Sequence, residues 1–230
     1  MTIRIEPLGD CALLIRFGER IDVELNGAAL RAAAAISAAD LPGVHDVAPA
    51  YASVCLRYDP AAWPRPARPH AELVRRICDI VENAADVAHR EPEPIEIPVC
   101  YGGEFGPDLA AVADRARLTM DAVVAAHTAA PYRVAMLGFA PGFPYMLGLD
   151  PALAAPRLAE PRIRVPAGSV AIGGSQTGIY PRESPGGWRI LGRTPIVLFD
   201  AARDPPALLA PGQTVRFRAI APEEFARLSP

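Results

Sequence analysis

The densest cluster of residues able to do chemistry lies between residues 138 and 194. Within it, the five arginines between residues 162 and 193 flank two glycine pairs, Gly173-Gly174 and Gly186-Gly187. Glycines let backbone N–H groups approach an anion, and a guanidinium binds carboxylate or phosphate oxygens through two parallel hydrogen bonds. The pattern indicates an anion site, and five solvated surface charges are the alternative. The arginines are Arg162, Arg164, Arg182, Arg189 and Arg193.

Two polar residues after the first glycine pair have the spacing of a recognition site. Gln176 and Tyr180 lie four residues apart, so their side chains share one face of an extended segment. A glutamine side chain offers an amide both a donor and an acceptor. The pattern indicates recognition of an amide, and stabilisation of a turn by Gln176 is the alternative.

His127 is the candidate for proton transfer. It is the one histidine after residue 90 in the sequence, and it lies near the end of a predicted helix. An imidazole is the usual general base near neutral pH. A charged histidine at a helix C-terminus also interacts favourably with the helix dipole. Proton transfer and helix stabilisation are therefore both open for His127.

The segment GFAPGFPYMLG, residues 138–148, combines three glycines, two prolines and three aromatic residues. This mixture is unfavourable in a helix and in a central strand, which predicts a rigid loop. Its aromatic residues are Phe139, Phe143 and Tyr145, and Trp188 follows in the arginine-rich region. They form the wall of a substrate cleft, a seat for a partner subunit, or a plug at the end of a β-barrel.

The composition excludes several kinds of chemistry. All 23 basic residues of the 230-residue chain are arginine, and there is no lysine. The chain therefore has no Walker A loop, no Schiff-base lysine and no biotinyl-lysine. It has no CxxC, HxH or HExxH pattern, so we predict no structural metal.

Charge and hydropathy argue against two kinds of partner. The formal net charge of -3 lacks the basic excess of a nucleic-acid-binding protein. No apolar run approaches the roughly 20 residues that span a membrane. The N-terminal sequence MTIRIEPLGD alternates and carries charge early, unlike a signal peptide, so we expect a cytoplasmic protein.

The elements that must position these residues fall into two predicted domains. Residues 1–90 predict the order β-β-α-β-β-α, an α+β domain with two helices on one face of a sheet. Asp22 is expected to cap the first helix, which runs to about Ser37, and the second helix starts near Pro69. The sequence HREPEPIEIP indicates a linker, so we place the domain boundary near residue 90.

Residues 91–230 predict a different architecture. After one strand we expect two short helices, with Pro107 in the first turn of one and Thr119 as the N-cap of the other. Beyond residue 131, short apolar stretches alternate with Gly/Pro turns, which predicts a small β-barrel with functional loops. The predicted strands are Tyr132–Leu137, Ser169–Ile172, Trp188–Leu191, Pro195–Phe199 and Thr214–Arg218.

Five segments of the chain resemble the KipI/allophanate hydrolase subunit 1 family. They are PLGDCALLIRFG, PGVHDVAPAYASVCLRYDP, YGGEFGPDLAAVA, GFAPGFPYMLG and RIRVPAGSVAIGGSQTGIYPRESPGGW. The resemblance extends from about residue 3 to residue 220. It implies an N-terminal α/β domain followed by a cyclophilin-like β-barrel of the carboxyltransferase C/D type.

The resemblance also implies a function. It indicates a hydrolase subunit of an ATP-dependent 5-oxoprolinase, which opens the lactam 5-oxoproline to L-glutamate with a homologous C subunit and a separate A subunit. It implies that activity needs these partners and ATP, alone or with magnesium, in the assembled complex. The alternatives are a KipI-like inhibitor of a sensor histidine kinase and a carboxyltransferase-type subunit acting on a urea-like amide.

On this interpretation the candidate residues divide by role. His127 moves a proton, Gln176 recognises the lactam amide, and Arg164 completes the catalytic set by holding an anionic group. The other candidates bind the substrate or its anionic groups, or form apolar walls that exclude water. They are Gly173, Gly174, Tyr180, Arg193, Phe139, Phe143, Tyr145 and Trp188.

Overall fold

The computed structural model of the chain describes residues 3–63, 70–84 and 93–229. The chain folds into two compact units, Met1–Arg90 and Glu91–Pro230. Two expectations fall outside the described residues: the linker near residue 90 and the start of the second helix at Pro69.

The first unit contains a four-stranded antiparallel sheet. Its strands are β1 (Arg4–Pro7), β2 (Ala12–Arg16), β3 (Val44–Pro49) and β4 (Ser53–Tyr58), in the spatial order β1-β2-β4-β3. Alternate residues of the two central strands point to one face, where Leu13, Ile15, Val54 and Leu56 are buried. This alternation supplies the apolar face on which the helices of the unit pack.

Two helices cover that face of the sheet. They are α1 (Val23–Ala38) and α2 (Ala71–Asn83). The carboxylate of Asp22 accepts hydrogen bonds from the N–H groups of Glu24 and Leu25, at 2.9 and 3.1 Å, which confirms the predicted cap of α1. Helix α2 buries Leu73 and Ile77 in the same core cluster.

The second unit is built on a β-barrel, as the sequence predicts, and the structure shows that the barrel is closed and has seven strands. The strands of this unit are β5 (Ile95–Tyr101), β6 (Tyr132–Leu137), β7 (Pro144–Leu147), β8 (Arg162–Val165), β9 (Ser169–Gly173), β10 (Gln176–Ile179), β11 (Ser184–Gly186), β12 (Arg189–Arg193) and β13 (Thr214–Ala219). The barrel closes in the order β10-β7-β6-β13-β5-β12-β9, and β8 pairs with β11 outside it. Only β5 and β13 pair in parallel among these described strands.

Two strand predictions in this unit are wrong. Pro195–Phe199 forms no regular strand, and its one bridge joins Phe199 to Ala207. Pro144–Leu147, within the segment predicted as a loop, is barrel strand β7. Pro144 is tolerated because it is the first residue of the strand, where its missing N–H costs little.

Three helices complete the second unit. They are α3 (Leu109–Ala116), α4 (Met120–Ala129) and α5 (Pro222–Leu228). The hydroxyl of Thr119 accepts the N–H of Ala122 at 3.1 Å, which confirms the predicted cap of α4. Pro107 precedes the N-cap residue Asp108 and is not in the first turn of α3, because the Asp108 N–H is bonded to Ile190 in β12. No helix in the described ranges is both long enough and apolar enough to cross a membrane.

Candidate functional site

The loop between β6 and β7 folds back on itself. The N–H of Gly138 donates to the carbonyl of Phe143 at 3.2 Å, and Gly142 adopts a φ of 77°. Phe139 has a φ of 66°, in the left-handed region that bulky residues rarely adopt. Phe139 is 62% exposed, whereas Phe143 is 2% exposed. The loop thus holds one phenylalanine at the surface and buries the other, with the backbone strain that is typical of functional loops.

Five aromatic rings meet beside this loop, and we call them the aromatic cluster. They are Phe139, Phe143, Tyr145, Tyr180 and Trp188. Phe143 is at the centre, with ring centroids 4.8 Å from Tyr145, 5.1 Å from Tyr180 and 5.8 Å from Trp188. The contacts with Tyr180 and Trp188 are edge-to-face, a favoured geometry for aromatic pairs. The structure therefore brings together all the aromatic residues predicted for the site.

Two glycines allow the rings to pack this closely. A Cβ atom on Gly173 would lie 2.6 Å from the indole of Trp188, so the ring rests directly on the backbone of β9. A Cβ atom on Gly186 would lie 2.2 Å from the hydroxyl oxygen of Tyr180. Gly173 therefore has a steric role beneath Trp188, and its predicted role in binding an anion remains a prediction.

The aromatic cluster lines a cavity of about 160 Å³. Besides the aromatic residues, the lining includes residues of the irregular segment before β8, the last residue of β11 and the residue that follows it. These residues are Arg157, Leu158, Pro161, Gly186 and Gly187. The cavity therefore combines apolar walls with two phenol groups and one guanidinium, the composition expected of a small-molecule site.

The phenols of the cavity are neutral at physiological pH. Burial raises the pKa of Tyr145, and the positive charge of Arg157 opposes this in part. Burial also raises the pKa of Tyr180, against a hydrogen bond from the backbone N–H of Trp188 that lowers it. Both side chains therefore keep their protons and act as hydrogen-bond donors rather than as bases.

A largely buried ion pair holds strands β8 and β11 beside the cavity. Arg162 of β8 lies opposite Gly186 of β11 in the strand register. Its guanidinium donates to both carboxylate oxygens of Asp108, at 2.8 and 2.9 Å. Asp108 also accepts the N–H of Ile190 in β12 at 2.7 Å. Asp108 thus ties the β8–β11 pair to the barrel wall through charge-assisted hydrogen bonds.

The two arginines predicted to bind an anion lie elsewhere. Arg164 is 75% exposed and donates to both oxygens of Glu183, at 2.8 and 3.0 Å. Arg193 donates to the carbonyl of Ala167 at 2.8 Å, and its guanidinium lies 5.9 Å from the ring centre of Phe225. Neither arginine is among the described residues that line the cavity. Their roles at the site remain predictions.

Gly174 and Gln176 follow Gly173 at the turn between β9 and β10. The N–H of Gly174 donates to the carbonyl of Ala155 at 2.8 Å, so it is already engaged within the protein. Gln176 is 8% exposed and lies opposite Gly173 in the strand register. Neither is among the described cavity-lining residues, and their anion- and amide-binding roles remain predictions.

His127 lies in the barrel interior and is fully buried. The hydroxyl of Thr177 donates to the carbonyl of Ala171 at 3.1 Å, so its oxygen accepts the Nε2–H of His127 at 3.1 Å. Nδ1 then accepts the O–H of Tyr101 at 2.8 Å. Burial lowers the pKa of His127 to about 3, so the ring is neutral. Its placement is that of a core histidine with both nitrogens bonded, and its proton-transfer role remains a prediction.

Arg157 lines the cavity although no sequence pattern predicts it there. Its guanidinium carbon lies 5.8 Å from the centre of the Trp188 ring, within the range of a cation–π contact. Arg157 precedes the glycine- and arginine-rich block by several residues, in the irregular segment before β8. No motif marks it, because its place at the cavity depends on a contact between residues that are distant in sequence.

Known proteins share the sequence of this chain over almost all its length. The family model "Carboxyltransferase domain, subdomain C and D" matches residues 3–209. The chain is 44% identical to the B subunit of 5-oxoprolinase from Bacillus subtilis (strain 168) over 234 residues, which cover 98% of this chain and 97% of that protein.

Solved structures share the fold. A crystal structure of TTHA0988 superposes with a TM-score of 0.78 at 41% identity, covering 91% of this chain and 39% of that one. This chain thus spans about two fifths of that protein. The urea carboxylase of Kluyveromyces lactis superposes with a TM-score of 0.75 at 20% identity, covering 98% of this chain and 22% of that one, a likeness of fold alone. Three relatives with similar sequences are B subunits of 5-oxoprolinase, which confirms the resemblance to the KipI/allophanate hydrolase subunit 1 family. The chain therefore belongs to the carboxyltransferase subdomain C and D family.

Proposed function

We propose that this chain is the B subunit of a 5-oxoprolinase, the hydrolase complex that opens 5-oxoproline to L-glutamate. The observation that carries the proposal is the 44% identity over 98% of the chain with the B subunit of the Bacillus subtilis 5-oxoprolinase. The aromatic cavity supports it, because a small site with apolar walls and neutral donors suits a five-membered lactam acid. The curated relatives do not favour the kinase-inhibitor or urea-type alternatives.

The chemistry that the cavity can perform is binding, orientation and exclusion of water. Phe143 and Trp188 line the cavity with aromatic carbon, an apolar surface against which a lactam ring packs. A lactam carbonyl accepts hydrogen bonds, and the neutral phenol of Tyr180 donates one. Donors held in a site of low water content stabilise negative charge that develops on a carbonyl oxygen. The cavity thus holds and polarises the lactam for opening.

ATP does not fit this cavity. A volume of about 160 Å³ is below the roughly 300–1,000 Å³ of sites for larger ligands. A groove of about 590 Å³ beside α1 and α2 is lined mainly by alanine and aliphatic side chains, and its Arg76 is paired with Glu72 at 3.3 Å. ATP would activate the lactam oxygen as a leaving group. We propose that the assembled complex binds ATP, alone or with magnesium, at a site outside this cavity.

We further propose that the partners are the homologous C subunit and a separate A subunit. The relatives are named as B subunits, which indicates a complex of several subunits. The length of TTHA0988, of which this chain spans 39%, supports association with a further domain. The same proposal includes three further features. They are a cyclophilin-type barrel, the β-β-α-β-β-α order as a family feature of the first unit, and a cytoplasmic location.

Reconstitution tests the proposed function. The full chain is mixed with separately purified C and A subunits, and L-glutamate formation from 5-oxoproline is followed with and without ATP. We expect glutamate and a matching amount of ADP only when all three subunits and ATP are present. Mixtures lacking one subunit serve as controls. The proposal fails if the complete mixture forms no glutamate, or if omission of this chain leaves the rate unchanged.

A further inference from the structure

Arg157 differs from the arginines that are paired near the cavity. Arg162 is bound to Asp108 and Arg164 to Glu183, each through two hydrogen bonds. Among the described residues, Arg157 forms no ion pair with a carboxylate. It therefore places a positive charge at the cavity that the described neighbouring side chains do not neutralise by pairing.

The position of the Arg157 guanidinium suits it to bind an anion. Its central carbon lies 5.8 Å over the ring of Trp188, which leaves the N–H groups at its edge for a ligand. A stacked guanidinium has few orientations, so it loses little freedom when it binds a carboxylate through two hydrogen bonds. Arg157 lines the cavity together with the phenols of Tyr145 and Tyr180, so its charge lies beside both hydroxyl-bearing rings.

The remaining cavity surface limits the ligand to a small molecule. A volume of about 160 Å³ is that of about five water molecules. Phe143 and Trp188 contribute apolar ring surface, and Gly186 and Gly187 also line the cavity. Burial raises the pKa of Tyr180, so its hydroxyl keeps a proton that it can donate to a ligand oxygen.

We infer that Arg157 is the carboxylate-binding residue of the aromatic cavity, and that Tyr180 donates to a second oxygen of the same small, flat-ringed monocarboxylic acid. The inference rests on the proposed function in one respect only, which is that the ring of the bound acid is a lactam. The anion site itself follows from a stacked guanidinium that has no carboxylate partner among the described residues and lies beside an apolar cavity. Arg157 thus selects the acid over its uncharged amide.

Tryptophan fluorescence of the full chain tests the inference without any partner. The chain has two tryptophans, and Trp63 belongs to the first unit, so a Trp63→Phe background reports on Trp188 alone. This protein is titrated with 5-oxoproline and with its uncharged carboxamide. We expect a saturable change with the acid, and Arg157→Gln should raise the Kd for the acid about tenfold or more while the Kd for the amide stays unchanged. Arg115→Gln, an exposed arginine of α3, is the matched control and should bind like the parent.

Three results overturn the inference: no saturable response to the acid, an unchanged Kd for the acid in Arg157→Gln, or an equal loss of acid and amide binding. The proposed function fails separately. If the acid binds through Arg157 but the reconstituted complex forms no glutamate, the subsite stands and the function does not. If the complex forms glutamate and Arg157→Gln keeps the parental KM, the function stands and the subsite does not.

Discussion

The second unit places two groups of aromatic and polar side chains in contrasting surroundings. The His127 group is sealed inside the barrel, where both imidazole nitrogens are bonded and Phe217 stacks at 4.7 Å. The aromatic cluster opens onto a cavity with a guanidinium at its edge. A fully bonded polar group in a core stabilises the fold, whereas an unpaired charge beside an apolar cavity is available to a ligand. We therefore expect substitutions in the first group to change mainly the stability of the fold, and substitutions in the second group to change mainly ligand binding.

Truncation of His127 should have the largest effect on stability. His127→Ala removes a buried ring and leaves the Tyr101 and Thr177 hydroxyls without their partner. We expect a loss of about 3–5 kcal/mol in the free energy of unfolding, measured by urea denaturation. The folded fraction should keep the parental Kd for 5-oxoproline. A stable variant with abolished binding would instead place His127 in the site.

Breaking the Asp108–Arg162 ion pair should have the second-largest effect on stability. Asp108→Asn removes a carboxylate from a largely buried pair and should lower the free energy of unfolding by about 3 kcal/mol. Glu183→Gln breaks the exposed pair with Arg164 and should cost less than about 1 kcal/mol. Urea denaturation of both variants measures the difference. Equal losses would contradict the distinction between the buried and the exposed pair.

The sealed histidine should also give the protein a pH-dependent stability. The folded-state pKa of His127 is about 3, below its ordinary value of 6.5. Between these values the unfolded chain binds the proton and the folded chain does not, so stability falls as pH is lowered from about 6.5 to about 3. This histidine should contribute a slope of up to about 1.4 kcal/mol per pH unit. His127→Phe should lack that contribution when urea denaturation is repeated across the range, and an identical slope in both proteins would refute it.

The smallest expected effect comes from two neighbouring glycines of the cavity. A Cβ atom on Gly186 would lie 2.2 Å from the Tyr180 hydroxyl oxygen, whereas one on Gly187 would have no atom nearer than 3.6 Å. Gly186→Ala should therefore displace Tyr180 and weaken binding of 5-oxoproline by about 1 kcal/mol. Gly187→Ala is the matched control and should bind normally in the same fluorescence titration. Equal affinities of the two variants would remove Tyr180 from the site.

Several features of the fold are predictable from local sequence. Three predictions agree with the structure: the cap at Asp22, the cap at Thr119 and the strand Tyr132–Leu137. Each of these features depends on residues that are close together in the chain. For Pro144–Leu147 the sequence predicts a loop instead of a strand, because a proline at its first position resembles a strand breaker. Helix α3 begins at Leu109 after the N-cap Asp108, and the contacts of Asp108 with Ile190 join residues that are far apart in the chain.

The sequence by itself determined that the chain carries a β-barrel, that its aromatic and glycine-rich segments belong to a known family, and that no lysine is present for phosphate binding. Alternation, turn residues and composition are local properties, so they can be recognised without coordinates. Only the tertiary structure decided which polar residues meet the aromatic cluster. It placed Arg157 on Trp188 and sealed His127 among bonded partners, because burial and pairing depend on residues that are far apart in the chain.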